Sequence, residues 1–70
     1  MKSRLRVLRA ERGWTQEQLG SVIGVSRQAI NALEAERHDP SLDLAYRIAV
    51  AFGVSVENVF PNPHNQGTKS

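Results

Sequence analysis

Three polar side chains between positions 27 and 31 carry the hydrogen-bonding groups needed to read nucleic-acid bases. The guanidinium of Arg27 can donate a pair of hydrogen bonds to O6 and N7 of guanine. The carboxamide of Gln28 has a donor and an acceptor that match N7 and N6 of adenine. Asn31 follows Arg27 by four residues, so in a helix it lies on the same face. These three residues are therefore candidate base contacts.

Polar residues on an exposed helix face are usually only solvated, and composition alone favours that interpretation. The surrounding sequence favours a binding surface instead. From Trp14 to Ala35 the chain has the pattern of two short helices joined by a glycine turn, with the spacing of a helix-turn-helix. In that arrangement the second helix is presented to a DNA groove.

Local signals predict the first of these two helices, helix two, at about 15 to 23. Thr15 and Gln18 form a capping box, and Trp14 is placed to pack against Leu19 as a hydrophobic staple. Gly24 supplies the positive φ with which many helices end. The predicted buried face comprises Leu19, Val22 and Ile23.

Helix three is predicted at about 26 to 35. Ser26 is its N-cap, and Val25 is placed to staple onto Ile30. Ile30 and Leu33 form its apolar face, which leaves the candidate base contacts on the outside.

The remaining pattern predicts three more helices. Helix one spans about Lys2 to Arg12, Ser41 caps helix four, and Ser55 caps a short helix five. We therefore expect an all-α, compact five-helix bundle over residues 1–60. The segment 61–70, which is rich in polar residues and proline, is expected to be a disordered tail.

Composition limits the possible functions. A chain of 70 residues allows one small domain, and it has no cysteine, so a disulfide framework or thiolate metal site is excluded. No stretch approaches the roughly 20 apolar residues of a membrane span, and no secretory leader is evident. We also find no activated nucleophile, acid and base pair or metal cage, so neither an enzyme nor a cofactor is expected.

The charge distribution indicates a polyanionic partner. The formal net charge is only +2, but basic residues crowd helix one against the single acid Glu11. These basic residues are Lys2, Arg4, Arg6, Arg9 and Arg12. Of them, Lys2, Arg4 and Arg6 could face DNA or could simply keep the surface soluble.

Several motifs of this chain resemble the Xre-type (phage-repressor-like) helix-turn-helix family. They are T-Q-E-Q-L at 15 to 19, G-V-S-R-Q at 24 to 28, the trio Ile30, Leu33 and Glu34, and A-F-G-V-S-V-E-N-V-F at 51 to 60. The similarity covers about residues 3 to 60. It implies a λ-repressor-like bundle that binds double-stranded operator DNA as a homodimer. Because the chain is short, it resembles a stand-alone regulator without an effector domain.

The resemblance also implies residue roles. Gln28 would read a base while bracing on Gln16, and Arg9 would pair with Glu34 to tie helix one to helix three. Free backbone amides at the start of a helix suit a phosphate, as does the positive charge of an arginine. The expected phosphate contacts are Gln16, Ser26, Arg37 and Ser41.

Two positions depart from the family pattern. Helix three usually ends at a glycine, but this chain has Ala35 followed by Glu36, so a side chain falls where positive φ is expected. Gly20 replaces a typical alanine, which costs about 0.5 to 1 kcal/mol in helix propensity, and closer helix contact is expected to offset that cost.

A dimer is expected because one short helix covers only a few base pairs. Helix five has more apolar residues than it needs for packing beneath helix four, and the expected dimer interface is Val56, Val59 and Phe60. The leading functional hypothesis is a cytoplasmic, nucleoid-associated repressor that binds a palindromic operator. The alternative is an antitoxin-like interaction protein that masks a partner protein and autoregulates its operon.

Overall fold

The computed structural model describes residues 1–62, which form five α-helices and no strand. The helices are α1 (Leu5–Glu11), α2 (Gln16–Ile23), α3 (Arg27–Glu34), α4 (Leu42–Phe52) and α5 (Val56–Val59). The predicted all-α, five-helix fold is confirmed. From residue 63 onward, the predicted tail lies outside the described residues. None of the five helices is long and apolar enough to cross a membrane.

Hydroxyl caps fix where four of these helices begin. The backbone N–H of Gln18 donates a hydrogen bond to Thr15 Oγ1 at 3.0 Å, and the backbone N–H of Thr15 donates one to Gln18 Oε1 at 2.7 Å. These two bonds confirm the capping box. Ser26, Ser41 and Ser55 each accept from the amide three residues later. The helix starts are therefore determined by short-range chemistry.

One core joins all five helices. Its fully buried members come from each helix in turn: Leu5, Leu19, Ile30, Ile48 and Val59. Gly24 and Gly53 end α2 and α4 in the left-handed conformation, with φ of 89° and 68°. Trp14 packs on the edge of this core, 5.5 Å from Phe52 between ring centroids.

Helix α1 begins three residues later than predicted. The Arg4 amide donates to the Val59 carbonyl at 2.7 Å, and the Arg4 guanidinium donates to the Asn58 carbonyl at 3.2 Å. These bonds tie the chain before Leu5 to α5. The segment therefore packs against the last helix instead of continuing α1.

The orientation of α2 also differs from the prediction. Val22 is 53% exposed, whereas Gly20 is buried. A Cβ at Gly20 would lie 2.6 Å from the Val25 carbonyl oxygen, so the missing side chain lets the turn approach the helix. The buried face of α2 is thus Leu19, Gly20 and Ile23, and the expected closer contact at Gly20 is confirmed.

Candidate nucleic-acid interface

The outer face of α3 carries the three candidate base contacts. Ile30 and Leu33 anchor the opposite face of this helix in the core. Arg27, Gln28 and Asn31 are all exposed. Within the part of the chain that the structure describes, the side chains of Arg27 and Gln28 make no hydrogen bond or ion pair, so their donors and acceptors are available to a ligand.

Asn31 is the exception, because Arg37 Nη2 donates to its Oδ1 at 3.0 Å. Arg37 follows α3 in the loop to α4, and its side chain turns back onto the exposed face of that helix. The expected phosphate contact and the expected base contact are therefore hydrogen-bonded to one another. No local sequence pattern indicates this pairing, since the two residues are not at helical spacing.

Glu34 connects three elements behind this face. Arg9 Nε donates to Glu34 Oε2 at 2.6 Å and Arg9 Nη2 donates to Oε1 at 3.1 Å, so the expected tie between α1 and α3 is confirmed. Arg9 Nη1 also donates to the Trp14 carbonyl at 2.8 Å. The hydrogen bond to Glu34 raises the pKa of Arg9, although burial partly opposes the shift. The side chain of Glu34 is only 5% exposed.

Gln16 has a partner that the sequence analysis missed. Its Nε2 donates to Glu34 Oε1 at 3.1 Å, and no hydrogen bond joins it to Gln28 in the described residues. The expected bracing of Gln28 on Gln16 is therefore absent from this structure. The carbonyl oxygen of Gln16 and its second N–H remain for other contacts.

The two serines predicted to hold phosphates are both exposed helix caps. Ser26 Oγ accepts from the Ala29 amide and Ser41 Oγ from the Leu44 amide, each at 3.1 Å. A capping hydroxyl uses its oxygen as acceptor, and its own hydrogen can still be donated outward. Each serine can therefore cap its helix and donate a hydrogen bond to an anion at the same time.

A polar recess of about 280 Å³ lies between α1 and α3. Arg6 is an exposed cation at its edge, and the partly buried pair Arg9 and Glu34 lines it together with Gln16. Asn31 and Ala35 complete the lining. The structure thus places Arg6, which the sequence analysis left undecided between DNA contact and soluble surface, next to a candidate base contact.

The expected dimer interface on α5 requires correction. Val59 is fully buried and Phe60 is only 4% exposed, because the core beneath α4 takes up both side chains. They have no surface to offer a second copy, and Val56 alone keeps partial exposure. The exposed apolar side chains of α2 and α4 are instead Val22, Leu42, Tyr46 and Val50.

Comparison with known proteins agrees with this architecture. Residues 5–58 match the model of the helix-turn-helix family. The chain is 50% identical over 60 residues to an uncharacterized HTH-type transcriptional regulator of Methanocaldococcus jannaschii, covering 86% of this chain and 91% of the relative. It is 45% identical over 60 residues to the uncharacterized HTH-type transcriptional regulator YgzD of Bacillus subtilis, with the same coverage of both chains.

Solved structures show the same fold. The hypothetical transcription factor NHTF from Neisseria superposes with a TM-score of 0.74 at 30% identity, over 86% of this chain and 69% of that one. The restriction-modification controller protein C.AhdI from Aeromonas hydrophila also gives 0.74 at 30% identity, over 81% and 83%. These matches confirm the resemblance to Xre-type proteins: the chain belongs to the helix-turn-helix family of DNA-binding transcriptional regulators, which is not a class of enzymes.

Proposed function

We propose that this chain is a sequence-specific regulator that reads operator DNA by placing the outer face of α3 in the major groove. The observation that carries the proposal is the state of Arg27 and Gln28. Both occupy the first turn of α3, both are exposed, and neither side chain makes a hydrogen bond within the described chain. Recognition helices of this type contact base edges with their N-terminal residues.

Residues around α3 are suited to hold the DNA backbone. Ser26 and Ser41 can donate their hydroxyl hydrogens to phosphates, and Gln16 retains a free N–H at the start of α2. Arg6 adds an exposed cation beside Asn31. Such contacts fix register and orientation on the duplex, whereas base contacts supply sequence preference.

The proposed regulator acts as a homodimer on a palindromic operator, as a repressor in the cytoplasm on the nucleoid. A single α3 reads only a few base pairs, whereas two copies related by a two-fold axis read half-sites about 34 Å apart. An apolar groove of about 400 Å³ between α2 and α4 supports a second copy as partner. Tyr46 and Val50 line this groove, and Leu42, one turn before Tyr46, extends the apolar stripe along α4. Each of the three side chains is more than half exposed.

This stripe suits a second copy because it is symmetric about Tyr46. Two antiparallel α4 helices would place Leu42 of one copy opposite Val50 of the other, as a self-complementary interface requires. Asp43 and Arg47 beside the stripe carry opposite charges, so identical faces do not repel each other. Sedimentation tests this face: Tyr46→Glu should give a monomer, whereas Val7→Glu, an exposed apolar residue on α1, should sediment like the parent.

Selection of bound duplexes from a random pool tests the DNA-reading role. We expect Arg27→Ala and Gln28→Ala to change the preferred base at one position in each half-site. Lys2→Ala removes one exposed charge from the N-terminal segment and should retain the parental motif. Recovery of identical motifs from the parent and from both α3 variants would contradict the proposal.

A further inference from the structure

The hydrogen bond between Arg37 and Asn31 fixes which way the Asn31 carboxamide points. A guanidinium has only donors, so the atom 3.0 Å from Arg37 Nη2 has to be the carbonyl oxygen. The amide nitrogen of Asn31, with its two N–H donors, has no partner in the described part of the chain. Asn31 therefore presents two free donors to a ligand, and one of the two lone pairs of its carbonyl oxygen is already engaged.

The backbone at the end of α3 determines where Arg37 lies. The Glu36 amide donates to the Leu33 carbonyl at 3.1 Å and the Arg37 amide donates to the Ala32 carbonyl at 3.0 Å. Glu36 has φ of 61°, so the pair of bonds forms a Schellman motif with a left-handed residue at its centre. This motif turns the chain back on the last turn of α3 and sets Arg37 beside Asn31.

We propose that Arg37 is a positioning residue that makes Asn31 select guanine over adenine. Reading adenine needs the asparagine oxygen to accept from N6 while the amide donates to N7. Arg37 takes one of the two lone pairs of that oxygen and places a positive charge next to it, which disfavours the approach of the adenine N6 donor. Guanine presents O6 and N7, two adjacent acceptors, to the free amide donors and the nearby cation. This inference rests on the proposed major-groove placement of α3.

A phosphate contact by Arg37, which the family resemblance implies, has a different consequence. Losing a phosphate contact weakens binding to every sequence by a similar factor and reduces the salt dependence. Losing a positioning contact changes the ratio between two sequences. The two roles are therefore separable by comparing base preference with overall affinity.

The experiment begins with the parental motif from duplex selection and finds the position whose preference disappears in Asn31→Ala. Two duplexes that differ only in guanine or adenine at that position are then titrated with the parent, Arg37→Ala and Arg37→Lys. We expect the parent to prefer guanine by about tenfold, which lies within the range for one base contact. In Arg37→Ala this ratio should fall to about one to three, and Arg37→Lys, which can still donate to Oδ1, should recover part of it.

Two comparisons make the outcome decisive. In the Asn31→Ala background, Arg37→Ala should leave the remaining guanine-to-adenine ratio unchanged, because the residue it positions is absent. Arg6→Ala, an equal loss of charge near the same recess, should lower affinity for both duplexes alike. Unfolding curves of each variant verify that it is folded at the assay temperature.

An Arg37→Ala variant that binds both duplexes more weakly by the same factor overturns the positioning role and leaves the proposed function intact. A parent protein without any sequence preference overturns both. A parent that prefers adenine at the Asn31 position also contradicts the inference, since the bond from Arg37 to Asn31 Oδ1 would then not disfavour adenine.

Discussion

Glu34 accepts two hydrogen bonds from Arg9, at 2.6 and 3.1 Å, and thereby joins α3 to α1. The same carboxylate accepts from Gln16 at the start of α2. Three helices therefore meet at one nearly buried acid, directly behind the face that carries the candidate base contacts.

Removing Glu34 should be strongly destabilising. Glu34→Ala leaves the half-buried guanidinium of Arg9 without its partner, which we expect to lower the free energy of unfolding by about 2 to 4 kcal/mol. Urea unfolding monitored by circular dichroism measures the loss. Asp43→Ala, which breaks the exposed pair with Arg47, is the control and should cost less than about 1 kcal/mol. Similar losses in the two variants would argue against a special role for Glu34.

Gly20→Ala should destabilise the protein even though alanine is the better helix former. The new Cβ would meet the Val25 carbonyl oxygen at 2.6 Å, so the turn between α2 and α3 has to move. We expect a loss of about 1 to 3 kcal/mol in the free energy of unfolding, as for other overpacked sites. Ser21→Ala, at the neighbouring exposed position of α2, should change stability by less than about 0.5 kcal/mol. A Gly20→Ala variant as stable as the parent would show that the turn can shift at no cost.

Glu36→Gly should stabilise the protein. Glu36 is the only non-glycine residue in the described chain with positive φ, at 61°, which confirms the positive φ expected at this helix end. Such a φ strains a residue that has a Cβ. Glycine removes that strain, but it loses the hydrogen bond between Glu36 Oε2 and the Ser3 amide and gains freedom when unfolded. We expect a net gain of about 0.5 kcal/mol in a thermal or urea unfolding measurement.

Ala35→Gly is the matched control for that change. Ala35 precedes Glu36 in the same helix end but has φ of −80°, which any residue adopts readily. Glycine there should therefore destabilise the protein by roughly 0.5 to 1 kcal/mol. If both variants lost stability equally, φ at position 36 would not be a source of strain.

Phe60→Ala should act on folding and not selectively on association. Because Phe60 is buried in the core, its truncation should lower the free energy of unfolding by about 3 to 5 kcal/mol. Val56→Ala, on the half-buried side of α5, should cost less. Urea unfolding at several protein concentrations separates the two effects, since association makes stability rise with protein concentration. A variant that loses only association loses that dependence, whereas a truncated core lowers stability at every concentration. A monomeric Phe60→Ala variant with parental stability would restore the α5 interface.

The sequence predicts those features, such as helix starts and ends, that residues close together in the chain determine. The hydroxyl of Ser26 and the glycine at 24 specify a helix start and a helix end through contacts within a few residues, so both were placed correctly. The pairing of Arg9 with Glu34 came from the family resemblance, since no local rule connects residues 25 positions apart.

Other features depend on the space between helices and could not be predicted in this way. Periodicity predicts a buried Val22 because it is apolar, but α2 packs with Gly20 facing the turn before α3, and Val22 is exposed. The sequence places Phe60 outside the packing of helix five, but the whole bundle determines how deep the core beneath α4 is, and that core includes Phe60. The bond from Arg37 to Asn31 depends on the path of the loop after α3.

The convergence of three helices on Glu34 has a consequence for the thermodynamics of association. A helix that is capped at Ser26 and bonded through its last residue to two neighbours loses its orientational freedom when the chain folds, before any ligand arrives. Calorimetry of complex formation should then show a heat-capacity change that matches the contact area alone, without the larger change that accompanies folding upon binding.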